Sequence, residues 1–372
     1  MDTSLIELCN IALLFLLGVF SRLIFSRLRM PVPGMLGTIV VIGFLRVMQV
    51  PLPVAPPYFS TLMQVLMGIY VGSKVNQESI KTIKQMLYPA LIIAAWVLGI
   101  AFIFGGFLST ITQMDLYTAI LSTSIGGVPE MTVIALATDA DIAMVVIMQT
   151  VRMVVTTILY PFIISFMDKR QGKPYCEVST SDHEKSCLSK NLPEQEEPGR
   201  TTSTFLKGMG IKIAFFLIAF LAGITLAGWG VPAGAIVGSM LVTTFIYLGI
   251  NVQTKLVSPK IFELVLIGVG IMVSNNITGE TVETLLAGDT YMAVLVFNLF
   301  IFLSSIAVAC LLYKITAWDI VTCLLATAPG GFTLMTALSA QYRKDPFLIS
   351  MLHFGRLFVL KLVIPFTFMA IL

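Results

Sequence analysis

The 372-residue chain is 57% hydrophobic and only 12% charged, with a mean hydropathy of +0.94 and a formal net charge of +3. Soluble domains carry about twice that charged fraction, so a soluble globular domain is excluded. Apolar runs long enough to cross a bilayer recur along the whole length, and the sequence reads as an all-α polytopic membrane protein with no nucleic-acid partner.

In chain order, the first helix is expected at 4–25. The N-terminus lacks the basic start and small-residue cleavage site of a secretory signal, so Leu5–Phe25 reads as a retained helix. Further helices are expected near 34–50, 58–74, 86–110 and 143–167. Residues 168–204, rich in Lys, Glu, Ser and Pro, then read as a flexible soluble linker. It separates a first membrane repeat, 1–167, from a second, 205–372, with helices expected near 208–227, 233–250, 261–275, 291–313 and 346–372. Several of these are short, which implies tilt or partial penetration.

Two segments, 116–138 and 320–340, are ambiguous. Each has a short apolar run, a Gly-Gly break and a second short run, with Pro129 or Pro329 beside the glycines. Each crosses as a broken helix, or enters and leaves on one side as a re-entrant hairpin. Basic residues favour the second. With five crossings per half and the N-terminus outside, Arg22, Arg27, Arg29, Lys74, Lys81, Lys84, the linker, Lys255, Lys260, Lys314, Arg343 and Lys344 all fall on the cytoplasmic side. The opposite loops, 51–57, 109–115, 137–141, 228–232 and 276–290, contain no Lys or Arg; Arg46 and Lys361 are the basic residues toward that side. An odd number of crossings makes the halves enter from opposite faces. The expected fold is a 5+5 inverted-topology repeat with one re-entrant helical hairpin per repeat.

The halves share a pattern. Asp115, Thr118, Leu121, Thr123, Gly126, Gly127, Met131, Asp141, Gln149, Arg152 and Pro161 are answered by Asp319, Thr322, Leu325, Thr327, Gly330, Gly331, Met335, Asp345, His353, Arg356 and Pro365. Arg152 and Arg356 each follow a helix-opening aspartate by eleven residues. At about 1.5 Å per residue that is roughly 16 Å into the membrane. A cation at that depth needs a partner or an aqueous cavity. One reading pins each arginine to helix carbonyls or an acid; the other makes it a fork for a carboxylate. Gln149 and His353, three residues earlier, share the arginine's helix face. His353 is able to carry a proton or simply to hydrogen-bond. The Gly-Gly tips start short helices whose free N–H groups suit an anion, with Thr123 and Thr327 as hydroxyl ligands, or else they only permit close helix packing. Glu130 is the one acid in either tip, read as a helix-start charge or as a coupling residue alongside His353.

Asp115, Asp141, Asp319 and Asp345 are expected to cap helices. Gly68 and Gly72 suit close helix packing, with Gly268 expected to repeat the first of them. The five cysteines show no metal or disulfide spacing. Cys9, Cys310 and Cys323 are expected in the core, and Cys176 and Cys187 fit a reducing cytoplasm. No metal cluster, phosphate-binding glycine loop or nucleophile elbow is present in the sequence, so neither an enzyme nor an ATP-driven pump is expected.

The unit Ser124-Ile-Gly-Gly-Val-Pro-Glu-Met131 with Gln149-x-x-Arg152, and its counterpart Ala328-Pro-Gly-Gly-Phe-Thr-Leu-Met335 with His353-x-x-Arg356, resembles the AbrB family of bacterial membrane proteins (the integral-membrane family, not the DNA-binding regulator of that name). The first copy departs from the family's Pro-Gly-Gly tip, with Ile125 in place of the proline. The resemblance implies a multi-pass transporter of the bacterial inner membrane. The combined expectation is a secondary transporter of a small organic anion, a carboxylate in the first instance, driven by H+ or Na+ and using no other cofactor. Its substrate sits between the hairpin tips and Arg152, Arg356, Gln149 and His353. A membrane sensor or an anion channel is the alternative reading, and a homodimer is the assembly left open.

Overall fold

The computed structural model describes residues 3–28, 30–75, 77–112, 114–170, 202–250, 258–277, 279 and 290–371, and these are helical with no strand among them. The linker expected at 168–204 lies, apart from its ends, outside the described residues. The first half comprises α1 (Thr3–Arg27), α2 (Pro33–Val47), α3 (Pro57–Gly72) and α4 (Gln77–Gly99), which runs through a π-helical turn, Ile100–Phe104, into α5 (Gly105–Ile111). Then come α6 (Leu116–Thr123), α7 (Val128–Leu136) and α8 (Ile142–Arg170). The second half comprises α9 (Thr202–Gly228), α10 (Gly234–Ile250), α11 (Pro259–Ser274), α12 (Thr290–Ile315), α13 (Ile320–Thr327), α14 (Phe332–Gln341) and α15 (Pro346–Ile371).

Local chemistry sets these boundaries. Proline occupies the first turn of α2, α3 and α11, where its missing N–H costs nothing. Asp115 caps α6 by accepting from Thr118 N–H at 2.9 Å, and Asp345 caps α15 by accepting from Phe347 N–H at 2.9 Å. Asp141 accepts from Met144 N–H at 3.1 Å. The Asp319 carboxylate accepts from the Thr322 hydroxyl and, at 2.6 Å, from Lys344 Nζ. Each ambiguous segment consists of two short helices around a break, together called a broken helix below whichever way it threads: α6 stops at Thr123 and α7 starts at Val128, and α13 stops at Thr327 and α14 starts at Phe332.

Five stretches, Ile6–Arg27, Gln85–Ile111, Ile142–Met167, Val294–Ile315 and Pro346–Met369, are long and apolar enough to cross a membrane. Their outer faces carry large apolar side chains with no protein cover, among them Leu16, Phe20, Leu91, Ile103, Leu299 and Leu303. Such faces suit lipid and would drive aggregation in water. Cys9 and Cys310 lie on such faces, contrary to the expectation of core packing, because a thiol is apolar enough for lipid contact; Cys323 is buried as expected.

Helices pair across the halves. α3 lies on α10 and α2 on α11; α15 lies on α4 and α8 on α12. The α3–α10 pair is close because Gly68 and Gly72 leave room for the opposing backbone: a Cβ at Gly72 would sit 2.6 Å from Met240 O. On the α2–α11 pair the same service falls to Gly270, where a Cβ would meet Met35 O at 2.9 Å, and not to Gly268, which faces Met63 and Phe59. The expectation for Gly268 fails because α3 and α11 match from their opening prolines, Pro57 and Pro259, which aligns Gly68 with Gly270. Helices α1–α3 and α9–α11 thus form one group, and the broken helices belong to the other. The two groups meet where α14 leans on α3 and α11 and where α15 leans on α3.

Candidate functional site

Each broken helix ends its first arm in extended backbone, at Ser124 (φ −61°, ψ 132°) and Ala328 (φ −51°, ψ 129°). The carbonyls of the last turn therefore lose their helical partners. Side chains from the following long helix replace them. Arg152 Nη1 donates to Ser124 O at 2.6 Å and Nη2 to Gly126 O at 2.7 Å, while Gln149 Nε2 donates to Leu121 O at 2.8 Å and Ser124 O at 2.9 Å. In the second half Arg356 Nη1 donates to Ala328 O at 2.8 Å, Nη2 to Gly330 O at 3.2 Å, and His353 Nε2 meets Leu325 O at 2.8 Å. The sequence separations of 28 and 26 residues are the same in both arginine clamps. A helix C-terminus carries partial negative charge, so a guanidinium there is electrostatically matched without an acid.

The four polar side chains are fully enclosed: Gln149 and His353 are 0% exposed and the two arginines 2%. The two clamps are neighbours: Met153, next to Arg152, lies against Gly331, next to the Gly330 carbonyl that Arg356 holds. Among the described residues no carboxylate lies within ion-pair distance of either; the salt bridges there join Arg22 to Glu263 and Lys344 to Asp319. Each guanidinium has five N–H donors, and Nε of both arginines has no partner. The carbonyl-pinned alternative for the arginines is thus realised, with donors left over.

The glycines act by leaving space. None of Gly126, Gly127, Gly330 and Gly331 has positive φ. A Cβ at Gly126 would meet Met131 Cε at 2.6 Å, and one at Gly330 would meet Met335 Cε at 2.5 Å. The repeated Gly-Gly-x-x-x-Met spacing therefore places a methionine over each tip. At Gly127 the added atom would strike the Glu130 carboxylate, which folds toward the tip from the first turn of α7. Gly331 is open, with Met153 Sδ at 3.6 Å from a Cβ there. Met153 adjoins Arg152, so the second tip touches the helix that carries the first arginine.

Thr123 and Thr327 serve helix contacts: their hydroxyls reach Ala101 O at 3.3 Å and Ser305 O at 3.2 Å. Sequence reasoning missed Tyr160 and Ser305. Their hydroxyls lie 2.5 Å apart, buried, and Ser305 Oγ also donates to Thr327 O at 3.1 Å, which joins α8 to the second broken helix beside Arg356. The available signal was a tyrosine next to Pro161 where the other half has Ile364 next to Pro365. The bases of the broken helices are tied as well. Asp141 N–H donates to Thr118 Oγ1 at 2.7 Å, and Lys344 reaches back to Asp319.

A family model described as "Transition state regulatory protein AbrB" matches residues 1–168 and 185–371. The chain is 22% identical over 328 residues, 82% of its length and 77% of the relative's, to the "Uncharacterized protein YhjN" of Bacillus subtilis. No solved structure matches it.

Proposed function

We propose that this chain, which belongs to the AbrB family, is a secondary active transporter of a small organic anion, driven by a proton or sodium gradient across the bacterial inner membrane. In this reading it is a 5+5 inverted repeat, N-terminus outside, whose broken helices are re-entrant hairpins. The bond from Asp141 to Thr118 supports re-entry, because it sets the residue before α8 one turn into α6. The Lys344–Asp319 pair supports the same for α13 and α14. The anion would lie where the second-arm N-termini and the guanidiniums converge, and access would alternate as the hairpin-bearing group moves against α1–α3 and α9–α11.

One observation carries the reading: two enclosed guanidiniums, each with an unused donor and, among the described residues, with no carboxylate within ion-pair distance. A bound carboxylate would take up those donors and offset both charges. The test is counterflow of labelled lactate, succinate or citrate in proteoliposomes. Exchange is expected with at least one of them, and a loss of at least a hundredfold in Arg152→Ala and Arg356→Ala with protein still in the membrane. Unimpaired exchange by both variants removes the site, and flux without counterflow makes the protein a channel.

A further inference from the structure

Four buried atoms in the site lack any hydrogen-bond partner: Gln149 Oε1, His353 Nδ1, and Nε of Arg152 and Arg356. Leaving such a group unmet costs about 1–3 kcal/mol. They fall on the same two positions of both halves. At the arginine position both halves present a spare donor. At the other position both present a spare acceptor, since each residue's bonded atom faces a carbonyl and must be the donor.

The imidazole differs from the amide in one respect. A carbonyl only accepts, so His353 Nε2 carries the hydrogen that Leu325 O receives, and Nδ1 of the neutral ring is a bare lone pair. Gln149 holds Leu121 O in the same way but has no site for a proton. One half therefore carries a proton acceptor and the other does not.

Charge decides when that lone pair is filled. Its charged neighbour is Arg356 on the same helix, and the clamp of Arg152 adjoins. Of the helices packed on α15, α14 has no titratable side chain and α13 has only Cys323. Helix α3 has Tyr58 and Tyr70, and α4 has Glu78, Lys81, Lys84 and Tyr88, with no carboxylate within ion-pair distance of His353 among the described residues. A proton on Nδ1 would make a third cation in an enclosed cluster without an anion. A seated carboxylate reverses that field, and by linkage the proton then tightens the anion by the same factor. For sodium the carbonyls freed at the breaks are contested, since Ser124, Gly126, Ala328 and Gly330 already accept from guanidinium.

We propose that His353 Nδ1 is the coupling site, taking one proton only when the anion is seated, so that one proton crosses with each anion. This rests on the anion-transporter reading above. The test uses proteoliposomes containing a trapped pH dye, with lactate, succinate and citrate as probes. Wild type is expected to move one proton per anion, so that one unit of imposed pH gradient changes the accumulation of a monoanion about tenfold. His353→Gln, which can keep the bond to Leu325, is expected to lose the proton movement and that tenfold response. Counterflow in wild type together with net anion uptake that moves no proton overturns the coupling and leaves the transporter standing. Counterflow by none of the probes overturns both. Proton movement retained in His353→Gln also overturns the coupling. A variant that is simply inactive is resolved by nitrogen NMR of His353 in a His183→Asn background. The ring is expected to be neutral at pH 6 alone and protonated with the exchanging probe at saturation; an unchanged signal overturns the proposal.

Discussion

The backbone N–H of Asp141 donates to Thr118 Oγ1 at 2.7 Å. Between those residues the chain runs down α6, through the break and back along α7. Eight and nine helical residues amount to about 12 and 14 Å. Laid end to end they would carry Asp141 far from Thr118, so the bond supports the proposed re-entrant hairpin.

Side-specific labelling tests that geometry. Leu116→Cys and Thr138→Cys are expected to react with an impermeant thiol reagent from one face of the membrane. Ala317→Cys and Arg343→Cys are expected to react only from the other. Reaction of Leu116→Cys and Thr138→Cys from opposite faces would mean that 116–138 crosses, and the inverted repeat would be lost.

The two glycines of the second tip should respond differently to the same methyl group. In Gly330→Ala the new Cβ meets Met335 Cε at 2.5 Å, so the methionine must leave its place; in Gly331→Ala the nearest atom is Leu334 Cδ1 at an ordinary 3.4 Å. A flexible methionine makes the clash tolerable, at about 1–2 kcal/mol. Thermal unfolding in detergent should show Gly330→Ala several degrees below wild type and Gly331→Ala within a degree or two. Equal shifts would show that Met335 does not cover the tip.

Asp319 gives a pH dependence with a definite sign. Burial favours its neutral form, but hydrogen bonds from Lys344 and Thr322 and the Lys344 charge outweigh that and hold the carboxyl below its ordinary value. A carboxyl lowered on folding contributes stability that is complete above its unfolded value and is lost as pH falls through its folded one. The tie between the base of α13 and the start of α15 should therefore weaken below about pH 4. The pair is partly exposed, so the loss is at most about 1 kcal/mol. Unfolding temperatures of wild type and Asp319→Asn should converge between pH 5 and pH 3; a gap that stays constant would assign the tie no electrostatic part.

Much of this was legible because it is local. Apolar runs, the opening prolines and the Gly-Gly breaks act within a few residues, so the helices fall close to their expected places. Gln149 with Arg152, and His353 with Arg356, share a face through helical spacing alone. What three-residue spacing does not tell is where a long side chain ends. Spacing leaves open whether each guanidinium is pinned to carbonyls or forks a solute, and two of the donors on each meet backbone carbonyls of the break. Tyr160 and Ser305 were missed because their contact spans 145 residues and only tertiary packing creates it. Gly270 was passed over for Gly268 because a shift of two residues in alignment is invisible until both helices have ends.

The π-helical turn at Ile100–Phe104 has no counterpart in α12, which is α-helical from Thr290 to Ile315. Were the two copies identical and inverted, turning the molecule upside down would interchange its outward-open and inward-open shapes, which would then be equally populated at rest. A wider turn in one copy alone lifts that degeneracy. In the proposed carrier that difference would favour one resting face, and it bears on the first tip, because Ala101 O within the turn accepts from Thr123 Oγ1 at 3.3 Å.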